Sequence, residues 1–137
     1  MKYTITSMLI VFALSFLIQS AESYCIYNYF DDDTYIDIYQ ENTYLPVGRA
    51  FSKSIGPLGS ECCHYSVRDC SIRPIDYDYV YFHLQFHYPT HDSPARRARC
   101  YSGGALIFHG DQDHRSATCK HPNGTMYEIQ LKSVPMK

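Results

Sequence analysis

Residues 78–88 read Asp78-Tyr79-Val80-Tyr81-Phe82-His83-Leu84-Gln85-Phe86-His87-Tyr88, and this stretch decides the fold class. Val80, Phe82, Leu84, Phe86 and Tyr88 alternate with Tyr79, Tyr81, His83, Gln85 and His87. Successive side chains of an extended chain point to opposite faces, so one face is apolar and the other polar and aromatic. A helix would scatter the five apolar residues around its circumference. The pattern predicts a β-strand with one face in a core.

The flanking sequence follows suit. Residues 24–30 and 34–40 are rich in Tyr and Ile, and Asp31-Asp32-Asp33 between them suits a tight hairpin turn. Residues 50–55 lead into Gly56-Pro57-Leu58-Gly59, a turn signal, and residues 61–66 follow it. Residues 105–108 and 116–120 flank a polar loop. In residues 125–132, Tyr127, Ile129 and Leu131 alternate with Glu128, Gln130 and Lys132. Pro122-Asn123-Gly124 precedes that run, and Asn-Gly tolerates the positive φ of a type I′ hairpin turn. Residues 89–99, with two prolines and three arginines, read as a surface loop. The expected fold is all-β, an antiparallel β-sandwich of about seven or eight strands, with a small β-barrel as the alternative closure.

Residues 1–23 have the parts of an export signal. Lys2 supplies the positive start, Met8 to Ile18 is apolar apart from Ser15, and Ala21-Glu22-Ser23 sets small residues before a cut at Tyr24. The apolar run is about eleven residues, against roughly twenty for a membrane span. The chain is therefore expected to have a signal peptide, residues 1–23, and one secreted domain, residues 24–137, with no membrane span. Its formal charge of −2 argues against a nucleic-acid partner, which calls for a basic surface.

Cys25, Cys62, Cys63, Cys70, Cys100 and Cys119 all follow that signal. In an oxidising compartment six cysteines predict a disulfide framework. No C-x-x-C spacing is present, so neither a metal nor a cofactor is expected. Adjacent Cys62 and Cys63 point to opposite faces of a strand and take different partners. One of them is expected to close the short loop to Cys70 and the other to reach Cys25. Cys100 and Cys119 flank the segment around His109 and Gly110 and are expected to join across that hairpin.

The candidate binding residues are the outward stripe of the long strand, Tyr79, Tyr81, His83, Gln85 and His87. Tyrosine combines large contact area with a hydrogen-bonding hydroxyl. Arg96, Arg97 and Arg99 offer a polyanion contact or a processing site for a secretory protease. Asn123-Gly124-Thr125 is an N-glycosylation acceptor. His109, Asp111, Asp113 and His114 share a loop that has the ligand types of a cation site but also the composition of an ordinary turn. A hydrolase would gather two or three of His83, His87, His91, His121 and Glu128 in one cleft, with a cation such as Arg115. Tyr88-Pro89-Thr90-His91 is similar, with one extra residue, to the Tyr-Pro-His segment of small fungal guanyl-specific ribonucleases.

Residues 51–63, Phe51 through Gly56-Pro57 to Cys62-Cys63, followed by Cys70, set an apolar strand before a Pro/Gly turn and a cysteine-bearing strand. With the glycine-led run Gly103-Gly104-Ala105-Leu106-Ile107-Phe108, this layout resembles the small secreted cysteine-rich β-sandwich proteins of fungi. The resemblance implies an effector-like or surface-associated protein. The expected function is secreted, non-enzymatic binding of an extracellular protein or carbohydrate. A small extracellular hydrolase, such as a ribonuclease, and a structural wall or matrix component are the alternatives.

Overall fold

The computed structural model describes residues 23–41, 51–64, 70 and 77–135. The expected signal segment before Ser23, and residues 50, 65 and 66 of the expected strands, lie outside the described residues. Among the described residues ten strands are formed: β1 Ser23–Phe30, β2 Tyr35–Glu41, β3 Ser52–Ile55, β4 Ser60–His64 and β5 Tyr79–His87, then β6 Arg96–Tyr101, β7 Ala105–Gly110, β8 Ser116–Lys120, β9 Met126–Ile129 and β10 Lys132–Ser133. They make two five-stranded sheets, in the orders β4-β1-β7-β8-β9 and β10-β6-β5-β2-β3. The fold is all-β and sandwich-like. Every strand pair is antiparallel except β1 with β7, which the chain reaches only after visiting the other sheet.

The two inner faces supply the core. Val80, Phe82, Leu84 and Phe86 of β5 are buried with Ile36 and Ile38 of β2. They meet Tyr24, Ile26 and Phe30 of β1 and Leu106 and Phe108 of β7. Aromatic rings pack edge to face across the layers: Tyr24 on Phe82 and Phe30 on Phe86 at 5.4 Å, and Phe86 on Phe108 at 5.6 Å. Offset contacts of this kind add about 1 kcal/mol each beyond area burial.

Several expectations are corrected. Residues 24–30 and 34–40 are strands but not a hairpin, because β1 and β2 lie in different sheets and face each other across the core. The aspartate segment is a corner instead. Asp32 Oδ1 accepts from the Thr34 amide at 3.1 Å and from the Thr34 hydroxyl, while Asp32 Oδ2 accepts from the Gln112 amide at 3.1 Å. Residues 96–99 are not loop but the first part of β6, paired with both β5 and β10. Residues 125–132 form two strands, β9 and β10, one in each sheet, with the switch at Gln130-Leu131.

The β8–β9 turn also departs from type I′. Only Gly124 has positive φ, +90°, and the Gly124 amide donates to the His121 carbonyl at 2.9 Å. Pro122 holds φ negative at the first central position, which directs the chain into a three-residue loop with glycine last. Gly104 marks a close approach: a Cβ there would lie 2.3 Å from the Lys120 carbonyl oxygen.

The disulfides are Cys25–Cys62, Cys63–Cys70 and Cys100–Cys119. Cys25 and Cys62 are register partners on β1 and β4, which settles which neighbour reaches Cys25. Cys100–Cys119 does not close the β7–β8 hairpin. Cys100 lies on β6 and Cys119 on β8, so the bond joins the two sheets.

Asn28, fully buried on β1, ties the crossings together. Its Nδ2 donates to the Thr34 carbonyl at 2.8 Å and to the Ile55 carbonyl at 3.0 Å, and its Oδ1 accepts from the Phe30 amide at 3.2 Å. Replacing Asn28 with Ala removes these three buried hydrogen bonds, each contributing about 1 kcal/mol. Asn28→Ala is expected to lower unfolding free energy by about 3 kcal/mol in urea titrations. Asn28→Asp, which sets a carboxylate against two carbonyls, is expected to be at least as damaging.

Candidate binding face

The outer face of the second sheet is built from β2, β5 and β6. Registry puts Tyr81 between Glu41 and Arg99, His83 between Tyr39 and Arg97, Gln85 beside Asp37, and His87 beside Tyr35. Tyr79 pairs with Tyr101. The five expected residues therefore share one face and extend it with residues from both neighbouring strands. Tyr35, Tyr39, Tyr79 and Tyr81 retain between 38% and 51% of their surface, so no second layer covers them.

Cations and rings interleave across this face. The Arg97 guanidinium lies over the Tyr81 ring at 5.2 Å and that of Arg99 over the Tyr79 ring at 4.8 Å. Such contacts hold long arginine side chains against the sheet at a gain of about 0.5–1 kcal/mol each. Tyr79 and Tyr101 stack at 4.6 Å, with their hydroxyl oxygens 3.0 Å apart. That hydroxyl contact is the main cause raising the Tyr101 pKa. Tyr39 stacks on His83 at 5.1 Å with the rings nearly parallel. Glu41 Oε2 lies 2.6 Å from the Arg97 guanidinium and 3.3 Å from His83 Nε2.

The stripe is divided in two. Tyr79, Tyr81 and His83 border open surface. Gln85 Nε2 instead donates to the Ser93 carbonyl at 3.0 Å, and His87 lies 2.8 Å from both Asp92 and Asp37. The β5–β6 connection thus occupies the second half of the stripe.

The hydrolase candidates do not converge. His83 and His87 lie on β5, His91 in the following connection, His121 in the β8–β9 turn, and Glu128 on β9 of the other sheet. His121 packs between Tyr101 and Tyr127, each at 4.3 Å. Arg115 donates to the Tyr88 hydroxyl at 2.6 Å and lies over the Phe86 ring. In the 109–114 loop, Asp111 Oδ1 accepts from the Asp113 and His114 amides at 2.9 and 2.7 Å. Those amides, His114 first, hold the Asp111 pKa below the usual carboxylate value. Among the described residues no group of three or more His, Cys, Asp or Glu is arranged to hold a metal.

Arg97 and Arg99 point outward from a paired strand, while Arg96 donates to the Ser133 hydroxyl at 2.5 Å. The expected processing site is therefore sheet, not loop. Asn123 is exposed on its turn, and its Oδ1 accepts from the Thr125 amide at 2.9 Å. Tyr39, Glu41 and Lys132 also belong to this region, although their own stretches of sequence do not mark them as members. The period-two pattern of residues 35–41 marks an outward set, but only pairing with β5 places it beside His83. Comparison with protein-family models, curated proteins and solved structures finds no match.

The Asp92 contact, followed by that of Asp37, raises the His87 pKa above the ordinary 6.5. The Ser54 hydrogen bond, aided by His87, lowers that of Asp37 below 3.8. His87 therefore contributes stability fully below about 6.5, and loses it as pH rises through its folded pKa. Asp37 contributes above its ordinary value and loses it as pH falls. Both groups are solvent-accessible, so the contribution is small. An NMR titration is expected to find His87 titrating above 6.5, and Asp92→Asn is expected to move it down more than any other single substitution at its contacts.

Proposed function

We propose that the chain is a secreted, non-enzymatic binding protein whose partner, an extracellular protein or carbohydrate, docks on the outer face of β2, β5 and β6. The observation that carries this reading is the exposed set of Tyr39, Tyr79 and Tyr81 interleaved with His83, Arg97 and Arg99. Tyrosine and arginine are the residues that contact surfaces favour, because both present flat, amphipathic area. Three disulfides fit an oxidising, extracellular setting. Among the described residues no helix is long and apolar enough to cross a membrane.

One observation favours the hydrolase alternative. Glu41, His83 and Arg97 place a carboxylate, an imidazole and a guanidinium together, the groups that acid–base cleavage of a phosphodiester uses. Release of acid-soluble nucleotides from RNA, abolished by Glu41→Gln, would replace the binding reading with this one.

The binding reading is tested on arrays of extracellular proteins and glycans. Tyr39→Ser/His83→Ser is expected to lower the binding signal about tenfold or more. Tyr29→Ser/Met126→Ser, on the outer face of the other sheet, is expected to leave it unchanged. Binding lost only in the second pair, or no binding by the unaltered protein, overturns the proposal.

A further inference from the structure

Among the described residues, β10 pairs only with Arg96 and Arg97 of β6, and the rest of that edge has no partner strand beyond it. The edge of the other sheet is β9, where Tyr127 and Ile129 are register partners of the inward-facing Cys119 and Ala117. Tyr127 and Ile129 thus face the gap between the layers. Two hollows of about 290 and 220 Å³ lie at this edge, and Arg99 and Ile129 line both. The larger is close to the lower end of the size range of ligand sites, about 300 Å³.

The lining is specific in chemistry. Tyr81, Arg97, Gln130 and Lys132 border the larger hollow, while Tyr79, Tyr101, His121 and Tyr127 border the smaller. Arg97 and Lys132 are register partners, and Arg99 follows Arg97 on the same face at about 6.6 Å. Among the described residues, Glu41 on Arg97 is the one carboxylate paired with these three cations, and Arg99 and Lys132 have none. The cleft therefore has a surplus of positive charge on a chain whose total is −2.

We infer that this cleft binds an acidic oligosaccharide, a chain of sugar rings carrying carboxylate or sulfate groups. The inference rests on the binding reading above and names a ligand class for one margin of that face. Tyr81 and Tyr127, both exposed, supply ring surface for sugars, and the tyrosine hydroxyls bond their polar edges. Gln130 and His121 add further hydrogen-bonding groups. Arg97, Arg99 and Lys132 supply partners for the acidic groups. A peptide fits less well, because Ile129 is the one large aliphatic side chain in the lining. A nucleic acid also fits less well, since three cations on an acidic chain give neither a basic stripe nor long-range attraction for a phosphate backbone.

The test is calorimetric titration of the oxidised, full secreted chain. The probes are a galacturonic acid hexasaccharide, a chondroitin sulfate hexasaccharide, neutral cellohexaose and a uridine hexanucleotide. At least one acidic hexasaccharide is expected to bind, with affinity falling as salt rises, while cellohexaose does not bind. Arg99→Ala and Lys132→Ala are each expected to weaken binding about tenfold. Glu41→Gln, which frees Arg97, is expected to strengthen it severalfold, a gain that misfolding cannot imitate. The inference is overturned if no acidic hexasaccharide binds, if cellohexaose or the hexanucleotide binds as well or better, or if the charge substitutions have no effect. Array binding that persists and still depends on Tyr39 and His83 would leave the wider face standing and remove only the cleft assignment.

Discussion

The amide of Asn28 joins the two sheets through the core. From a fully buried position on β1 it reaches the start of β2 and the end of β3, both in the opposite sheet. A buried backbone carbonyl without a donor costs more than an ordinary hydrogen bond contributes. One side chain therefore supplies a donor to two buried carbonyls at the places where the chain changes layers. Asp32 performs the matching task outside the core, capping Thr34 and holding Gln112 of the β7–β8 loop. With these contacts made, the corner after β1 turns inward across the sandwich, and β2 is delivered to β5.

That delivery is what creates the candidate face. β2 lies between β3 and β5, so its outward residues fall beside those of β5, and β6 adds its arginines from the other side. Core packing and surface chemistry are linked at β6. Ala98 faces inward opposite Phe82 in the register, and the small side chain accommodates the large ring. The intervening residues are then free to be Arg97 and Arg99, held over tyrosine rings. The Cys100–Cys119 bond joins the layers, and Cys119 lines the smaller hollow.

Much of the fold is legible in the residues, and the exceptions have physical causes. β5 is unmistakable because large apolar side chains fill every inward position. β6 is hidden because its inward residues are the small Ala98 and Cys100, which produce no hydrophobic periodicity among three arginines. The hairpin expected around Asp31–Asp33 fails because strands that pair side by side and strands that face each other across a core carry the same alternation. Asn123-Gly124 marks the turn correctly, but Pro122 selects its geometry. The stripe of β5 is likewise visible from sequence, whereas the capture of Gln85 by Ser93 and of His87 by Asp92 is not.

Sequence alone determines the all-β class, the inward and outward residues of β5, and the cysteine set available for cross-linking, because these depend on period-two alternation and residue chemistry along a single strand. Tertiary structure decides the rest. Which strands become neighbours, that Cys100 meets Cys119 across the layers, and that Glu41, Arg99 and Lys132 gather around Tyr81 are all consequences of register between segments distant in the chain. Alternation records which way a side chain points but carries no information about its neighbour. That neighbour is selected by closing one core between two sheets.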